Sequence, residues 1–185
     1  TDLATFRAQV TADPAGAAWF FASADQWKDY RAYALGLAGI DPERKYRIFQ
    51  SRVWDARPAE SFRLEDFQPR SAAASAPAKK IADGACFYAN GALSRRIQIR
   101  ESVARLTFRL KGTRAGASYP VLVVKVDGKI GDVLYVDSTS YTTSYSMIEV
   151  TPGEHEITLE YVNDRMVSDP PADRNIWIEK VDLHY

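Results

Sequence analysis

Tyr161-Val-Asn-Asp-Arg-Met-Val-Ser-Asp-Pro-Pro-Ala-Asp-Arg-Asn-Ile-Trp-Ile-Glu-Lys-Val-Asp-Leu-His-Tyr185 decides how the chain is read. Just ahead of it, Ile157, Leu159 and Tyr161 alternate with Glu156, Thr158 and Glu160, the period of two expected of a strand with one buried face. Beyond the polar middle, Ile176-Trp177-Ile178 leads to Val181, Leu183 and Tyr185. This second strand pattern slips in parity near Glu179 and Lys180, which predicts a bulge. Between the two strands lie Asp164, Asp169 and Asp173, with the amides of Asn163 and Asn175. Three carboxylates in one loop repel unless positive charge sits among them. Two arrangements supply it. Arg165 and Arg174 neutralise the aspartates in an ordinary polar turn whose asparagines bond the backbone, or the carboxylates hold a hard cation, most plausibly calcium. The spacing is not that of an EF-hand.

Working outward, short strands fill residues 81–161. Residues 85–88 precede a turn at Asn90-Gly91, and Ile97 and Ile99 follow. Leu106, Phe108 and Leu110 alternate with Arg105, Thr107 and Arg109. Residues 121–126 form an apolar run ending in Asp127-Gly128, the strongest two-residue hairpin signal in the chain. Strands over 133–136, 145–150 and 157–161 complete the series, with a turn at Pro152-Gly153. The run Ser138-Thr-Ser-Tyr-Thr-Thr-Ser-Tyr145 reads as a hydroxyl-rich edge strand. The pattern predicts a mainly β chain, an antiparallel and jelly-roll-like β-sandwich over residues 81–185.

Upstream the periodicity changes. Asp13-Pro14 and the capping box Ser23-Ala-Asp-Gln26 predict helix starts, with Trp27, Tyr30, Ala34 and Leu37 at helical spacing. Asp41-Pro42-Glu43 opens another helix, with Tyr46, Phe49 and Val53 expected to face the core. Phe62, Leu64 and Phe67 are expected to lie along a neighbouring surface. Residues 71–80, rich in Ala and Ser, read as a linker between a helical segment over 1–70 and the sandwich.

Composition excludes several classes. Lys plus Arg and Asp plus Glu each number 24, so no bulk positive potential favours nucleic acid, and a neutral polymer suits the balance better. Cys86 is the only cysteine, which rules out an internal disulfide and a Cys-based zinc site and leaves it as a small buried hydrophobe. No stretch reaches the ~20 apolar residues of a membrane span. The chain begins at Thr1 without a signal-peptide pattern, as expected of a mature chain or an excised piece. Neither His155 nor His184 sits in a catalytic motif. Asp164 and Asp173 form a conceivable glycosidase pair, but metal ligation accounts for so crowded a loop more simply. No catalytic residue is assigned.

The strings Asn163-Asp164 and Asp173-Arg174-Asn175-Ile176 resemble the signature of the calcium-dependent xylan-binding carbohydrate-binding modules, families thirty-six and sixty. Gly112-Thr-Arg-Ala-Gly-Ala-Ser-Tyr-Pro120, Val124-Lys-Val-Asp-Gly128 and Pro152-Gly-Glu-His155 are similar to that family's Gly- and Ala-rich loop, central hairpin and Gly-His turn. The resemblance spans residues 82–185. It implies a non-catalytic module that binds a polysaccharide or oligosaccharide through a vicinal diol held on loop-bound calcium. The implied metal ligands are Asp164, Asp173 and the carbonyl of Ala172, with Asp169 and Asn175 as further candidates. Xylan-binding members carry an aromatic where this chain has Ala172, so stacking falls to Tyr119, Tyr141 or Tyr145. The resemblance also implies an extracellular or cell-surface setting and a larger parent polypeptide. The alternatives are a protein-interaction sandwich with an Arg–Asp-stabilised loop, and the accessory end of a glycosidase whose catalytic part lies elsewhere.

Overall fold

The computed structural model describes residues 25–69, 77–82, 84–116 and 118–185. Among these residues two helices come first, α1 (Asp25–Leu37) and α2 (Pro42–Ser51). Thirteen strands follow. They are β1 (Glu60–Phe62), β2 (Gln68–Pro69), β3 (Ala78–Ile81), β4 (Gly84–Phe87), β5 (Gly91–Ile99), β6 (Val103–Gly112) and β7 (Val121–Val126), then β8 (Lys129–Tyr135), β9 (Thr142–Glu149), β10 (Gly153–Tyr161), β11 (Met166–Ser168), β12 (Pro171–Asp173) and β13 (Ile176–His184). One sheet runs β3-β4-β13-β6-β9, with β1 also pairing β13, and the other runs β2-β5-β10-β7-β8. Every pairing is antiparallel. The expected sandwich is present, β9 is an edge strand, and β13 shifts register between Ile178 and Lys180 where the parity slips.

The core follows from the alternation. Leu106, Phe108 and Leu110 of β6 meet Ile157, Leu159 and Tyr161 of β10 and Ile176, Ile178, Val181 and Leu183 of β13, all buried between the sheets. Strand β7 is buried on both faces, which explains its unbroken apolar run. Leu122 and Val124 face the sandwich core, while Val121 and Val123 join Ala34 and Leu35 of α1 in a second cluster. Full burial of Leu35 contributes about 1.5–3 kcal/mol to that docking. Asp127 and Gly128 both take positive φ, 51° and 80°, as a tight hairpin turn requires.

Expectations about the N-terminal part change. Strand β1 sits beside β13 and β2 beside β5, so residues 60–69 already belong to the sandwich, and β3 takes up residues 78–80 of the expected linker. Phe62, Leu64 and Phe67 do lie along a neighbouring surface, that of the sandwich core. In α2 the expected aromatic stripe is only partly packed: Phe49 is half-buried against Trp54 and Tyr145, but Tyr46 is 58% exposed and Val53, just beyond the helix, 94%, whereas Lys45 is 8% exposed. Lys45 points inward because Asp132 of β8 awaits it at 2.8 Å, with Arg31 bonding the same carboxylate. The expected helix start at Asp13-Pro14, and Ser23 of the capping box, lie outside the described residues, as do the side chains of Trp27 and Tyr30. Asp41 caps α2 as its sequence predicts, accepting from the amides of Glu43 and Arg44.

Candidate functional site

Among the described residues, four connections cross between the sheets at one end of the sandwich: β4 to β5, β6 to β7, β8 to β9 and β10 to β13. The last is the acidic loop, which carries the small hairpin β11–β12. Its floor is Arg174. That guanidinium is 0% exposed and donates to the carbonyls of Ser118 (3.1 Å), Asn163 (2.6 Å) and Ala115. Burial lowers its pKa, yet the surrounding carbonyls satisfy its donors and tie the acidic loop to the 113–120 loop. Asn163, also fully buried, accepts from the Val121 amide at 2.8 Å and donates to the Tyr119 carbonyl at 3.0 Å. Tyr161 donates to the Arg174 carbonyl at 2.6 Å, and burial pushes its phenol far up.

Above this floor the oxygens gather. The Asp164 amide donates to Asn90 Oδ1 at 2.7 Å, which anchors the start of the loop on the β4–β5 turn. Thr113 Oγ1 donates to the Asp173 carbonyl at 2.6 Å and accepts from the Asn175 amide at 3.1 Å. Asn175 Nδ2 donates to Asp173 Oδ2 at 2.9 Å, which turns its own Oδ1 away from that carboxylate. Asn175 Oδ1 and Asp164 Oδ1 are both buried without a hydrogen-bond partner among the described residues. The Asp164 carboxyl is held above the usual carboxylate range, first by burial and then by the Asp173 carboxylate. A buried acceptor left unpaired costs roughly 1–3 kcal/mol, more when it is charged. Asp164, Asp173 and Asn175 present oxygen acceptors, the donor chemistry that calcium takes.

The structure sorts the other sequence candidates. Asp169 occupies the turn at the far end of β11–β12, three ladder pairs from Asp173, or about 10 Å along the hairpin. Ala172 pairs Val167 next to Asp173. The Tyr119 ring packs edge-on against Tyr135 with centroids 6.0 Å apart. Tyr145 packs on Phe49 of α2 at 5.6 Å and lies four residues along β9 from Tyr141, about 14 Å away. Tyr141 stands at the loop end of the sheet, where Lys111 Nζ lies 4.5 Å from its ring centroid. The sequence reading missed Asn90, Thr113 and Trp177 as neighbours of the site. Only Trp177 carried a readable signal, since its parity opposes that of Ile176 and Ile178. Both histidines are bound into the framework: His155 bridges Asp127 Oδ2 and the Thr151 carbonyl, each at 2.7 Å, and His184 Nδ1 meets the Asp55 carbonyl at 2.9 Å. Cys86 is buried, its thiol pushed up to about 11 by burial, as expected of an inert side chain.

The chain is thus a two-sheet antiparallel β-sandwich with an oxygen-rich loop over one end. Residues 105–184, somewhat under half of the chain, match the family model CBM60, the Ca-dependent carbohydrate-binding module that is xylan-binding. The resemblance to the calcium-dependent xylan-binding type is thereby shown over that segment. Among solved structures, a carbohydrate-binding module CBM36 in complex with calcium and xylotriose matches with TM-score 0.50 at 17% identity, over 67% of this chain and 98% of that one. The CBM36-1 domain of a multidomain xylanase from the hindgut metagenome of Trinervitermes trinervoides matches with TM-score 0.50 at 12% identity, over 68% and 95%. A family GH115 4-O-methyl-α-glucuronidase with specificity for decorated arabinogalactans matches with TM-score 0.51 at 12% identity, over 70% of this chain and 18% of that one. At these identities the likeness is one of fold. No curated protein sequence matches the chain.

Proposed function

We propose that the chain is a non-catalytic, calcium-dependent module for binding polysaccharides, acting outside the cell within a larger polypeptide. The observation that carries this reading is the pair of buried oxygens, Asp164 Oδ1 and Asn175 Oδ1, that have no hydrogen-bond partner among the described residues, with the Asp173 carboxylate bonded to Asn175. Asp164 and Asp173 supply the negative charge, and Asn175 Oδ1 and the Ala172 carbonyl add neutral oxygens; Asp169, at the hairpin turn, is left out. Calcium, when bound, supplies open coordination positions where two vicinal sugar hydroxyls replace water. The remaining work belongs to the chain. Thr113 holds the backbone of Asp173 and Asn175, Asn90 holds Asp164, and Arg174 keeps both loop walls at a fixed separation. Such bracing keeps the acceptors preorganised, so little ordering remains to be done on binding. The family match, and the calcium and xylotriose present in one structural relative, support the same reading.

Affinity electrophoresis in xylan-containing gels, with calcium and then with chelator, tests it. Retardation in calcium that chelator abolishes is the expected result. Asp173→Asn removes one charge at constant shape and should weaken calcium and xylan together, by about tenfold or more, equivalent to ~1.4 kcal/mol. Retardation that persists unchanged in chelator would make the loop an ordinary structural turn.

A further inference from the structure

Trp177 lies between Ile176 and Ile178, both fully buried in the core, so its own side chain stands on the outer face of the sheet. Directly across from it are Lys111 on β6 and Cys86 on β4, and across from Cys86 is Lys79 on β3. This row of four strands spans about 14 Å and starts two residues after Asn175, so it adjoins the acidic loop. Lys111 Nζ sits 4.5 Å from the Tyr141 ring centroid and 5.5 Å from that of Trp177; Lys79 Nζ sits 5.5 Å from that of Tyr88. The ammonium of Lys111 is therefore held between two partly exposed rings.

Two neighbouring cations of this sheet are matched: Arg109 meets Glu179, and Lys180 meets Asp182 at 2.7 Å. Among the described residues no carboxylate lies within 4.0 Å of Lys79 or Lys111. In a chain of net charge +0, two unmatched ammonium groups beside flat rings form a local complement to an acidic sugar. The carboxylate of a uronic acid lies near the mean plane of its pyranose ring. A sugar resting on Trp177 or Tyr141 would extend that carboxylate sideways, towards Lys111.

We propose that this face gives the module a preference for glycans bearing carboxylate substituents, with Lys111 and Lys79 as the anion contacts and Trp177 and Tyr141 as the stacking platform. The proposal rests on the reading that the neighbouring loop binds glycan, and it names the substrate class. Lys79 and Lys111 would act only on ligand extending past the loop, where weak charge pairing selects between otherwise similar chains.

The test uses the full chain and two polysaccharides: a xylan substituted with glucuronic acid, and the same polymer after chemical reduction of its carboxyl groups. Titration calorimetry in calcium should show the acidic polymer binding roughly three- to fivefold tighter, the scale of a solvent-exposed charge pair. Raising the salt concentration should shrink that ratio. Lys111→Gln and Lys79→Gln should each bring the ratio towards one, and circular dichroism checks that both fold. Equal affinity for the two polymers in wild type, or an undiminished ratio in both variants, overturns the proposal. Neutral binding that needs calcium but shows no acid preference defeats this inference and leaves the calcium loop standing. An acid preference that survives chelator supports the lysine face and defeats the calcium reading. Binding of neither polymer overturns both.

Discussion

Asp164 carries the sharpest chemical tension in the molecule, because its carboxylate is partly buried, faces a second carboxylate and leaves one oxygen without a partner. A carboxyl whose folded pKa is raised holds its proton to higher pH than the unfolded chain does. Stability without cation therefore falls as pH rises from the unfolded value near 3.8 through the raised folded value. A bound cation reverses the sign by favouring the ionised form. The calcium-induced rise in Tm should accordingly be small at the acid end of that window and grow across it. Differential scanning fluorimetry in calcium-free and calcium-containing buffers over the acid range measures this directly, and a gain independent of pH would remove Asp164 from the ligand set. Arg174 shows the opposite solution to burial. Its charge lies against carbonyl oxygens of two loops, so it organises the floor while the aspartates above it remain available.

At the level of elements, helix α1 and the β7–β8 hairpin meet through one buried carboxylate. Asp132 accepts from Arg31 at 2.8 Å, from Lys45 at 2.8 Å and from the Val133 amide at 2.8 Å, while Lys45 also reaches the Gly131 carbonyl at 2.6 Å. Burial lowers the pKa of Lys45 and the Asp132 carboxylate opposes that fall, so the lysine depends on its partner. Asp132→Ala strands a buried ammonium and should cost about 3–5 kcal/mol in denaturant unfolding. Combining it with Lys45→Met should restore most of the loss, since an apolar side chain of similar length needs no partner there. Equal destabilisation in the single and double variants would show that Asp132 acts through Arg31 and the backbone alone.

Across the whole molecule, residues 60–69 complete the sandwich rather than append to it. Strands β1 and β2 lie in separate sheets, Phe62, Leu64 and Phe67 enter the core, and α1 covers the outer face of β7. A chain starting at residue 81 would expose Val121, Val123, Ile130 and Val133 and open one edge of β13. Its Tm should fall well below that of the full chain, with dye binding that reports exposed apolar surface. An unchanged Tm would restore the picture of an independent module joined by a linker.

The sequence by itself determined the sandwich, its long strands, the Asp127-Gly128 hairpin and the bulge beside Glu179, because each rests on a local period or a local turn requirement. It also located the acidic loop, since clustered like charge is visible without coordinates. Tertiary structure alone decided which oxygens meet. Asp164 falls within electrostatic reach of Asp173 while Asp169 is carried off on a hairpin, and the connections that cross at one end bring Asn90 to Asp164 and Thr113 to Asp173 from 74 and 60 positions away in the chain. It decided also that Lys45, not Tyr46, turns inward, because a helical period cannot report an aspartate waiting 87 residues downstream. Long-range pairing of this kind is set by the register of sheets, and no local pattern encodes it.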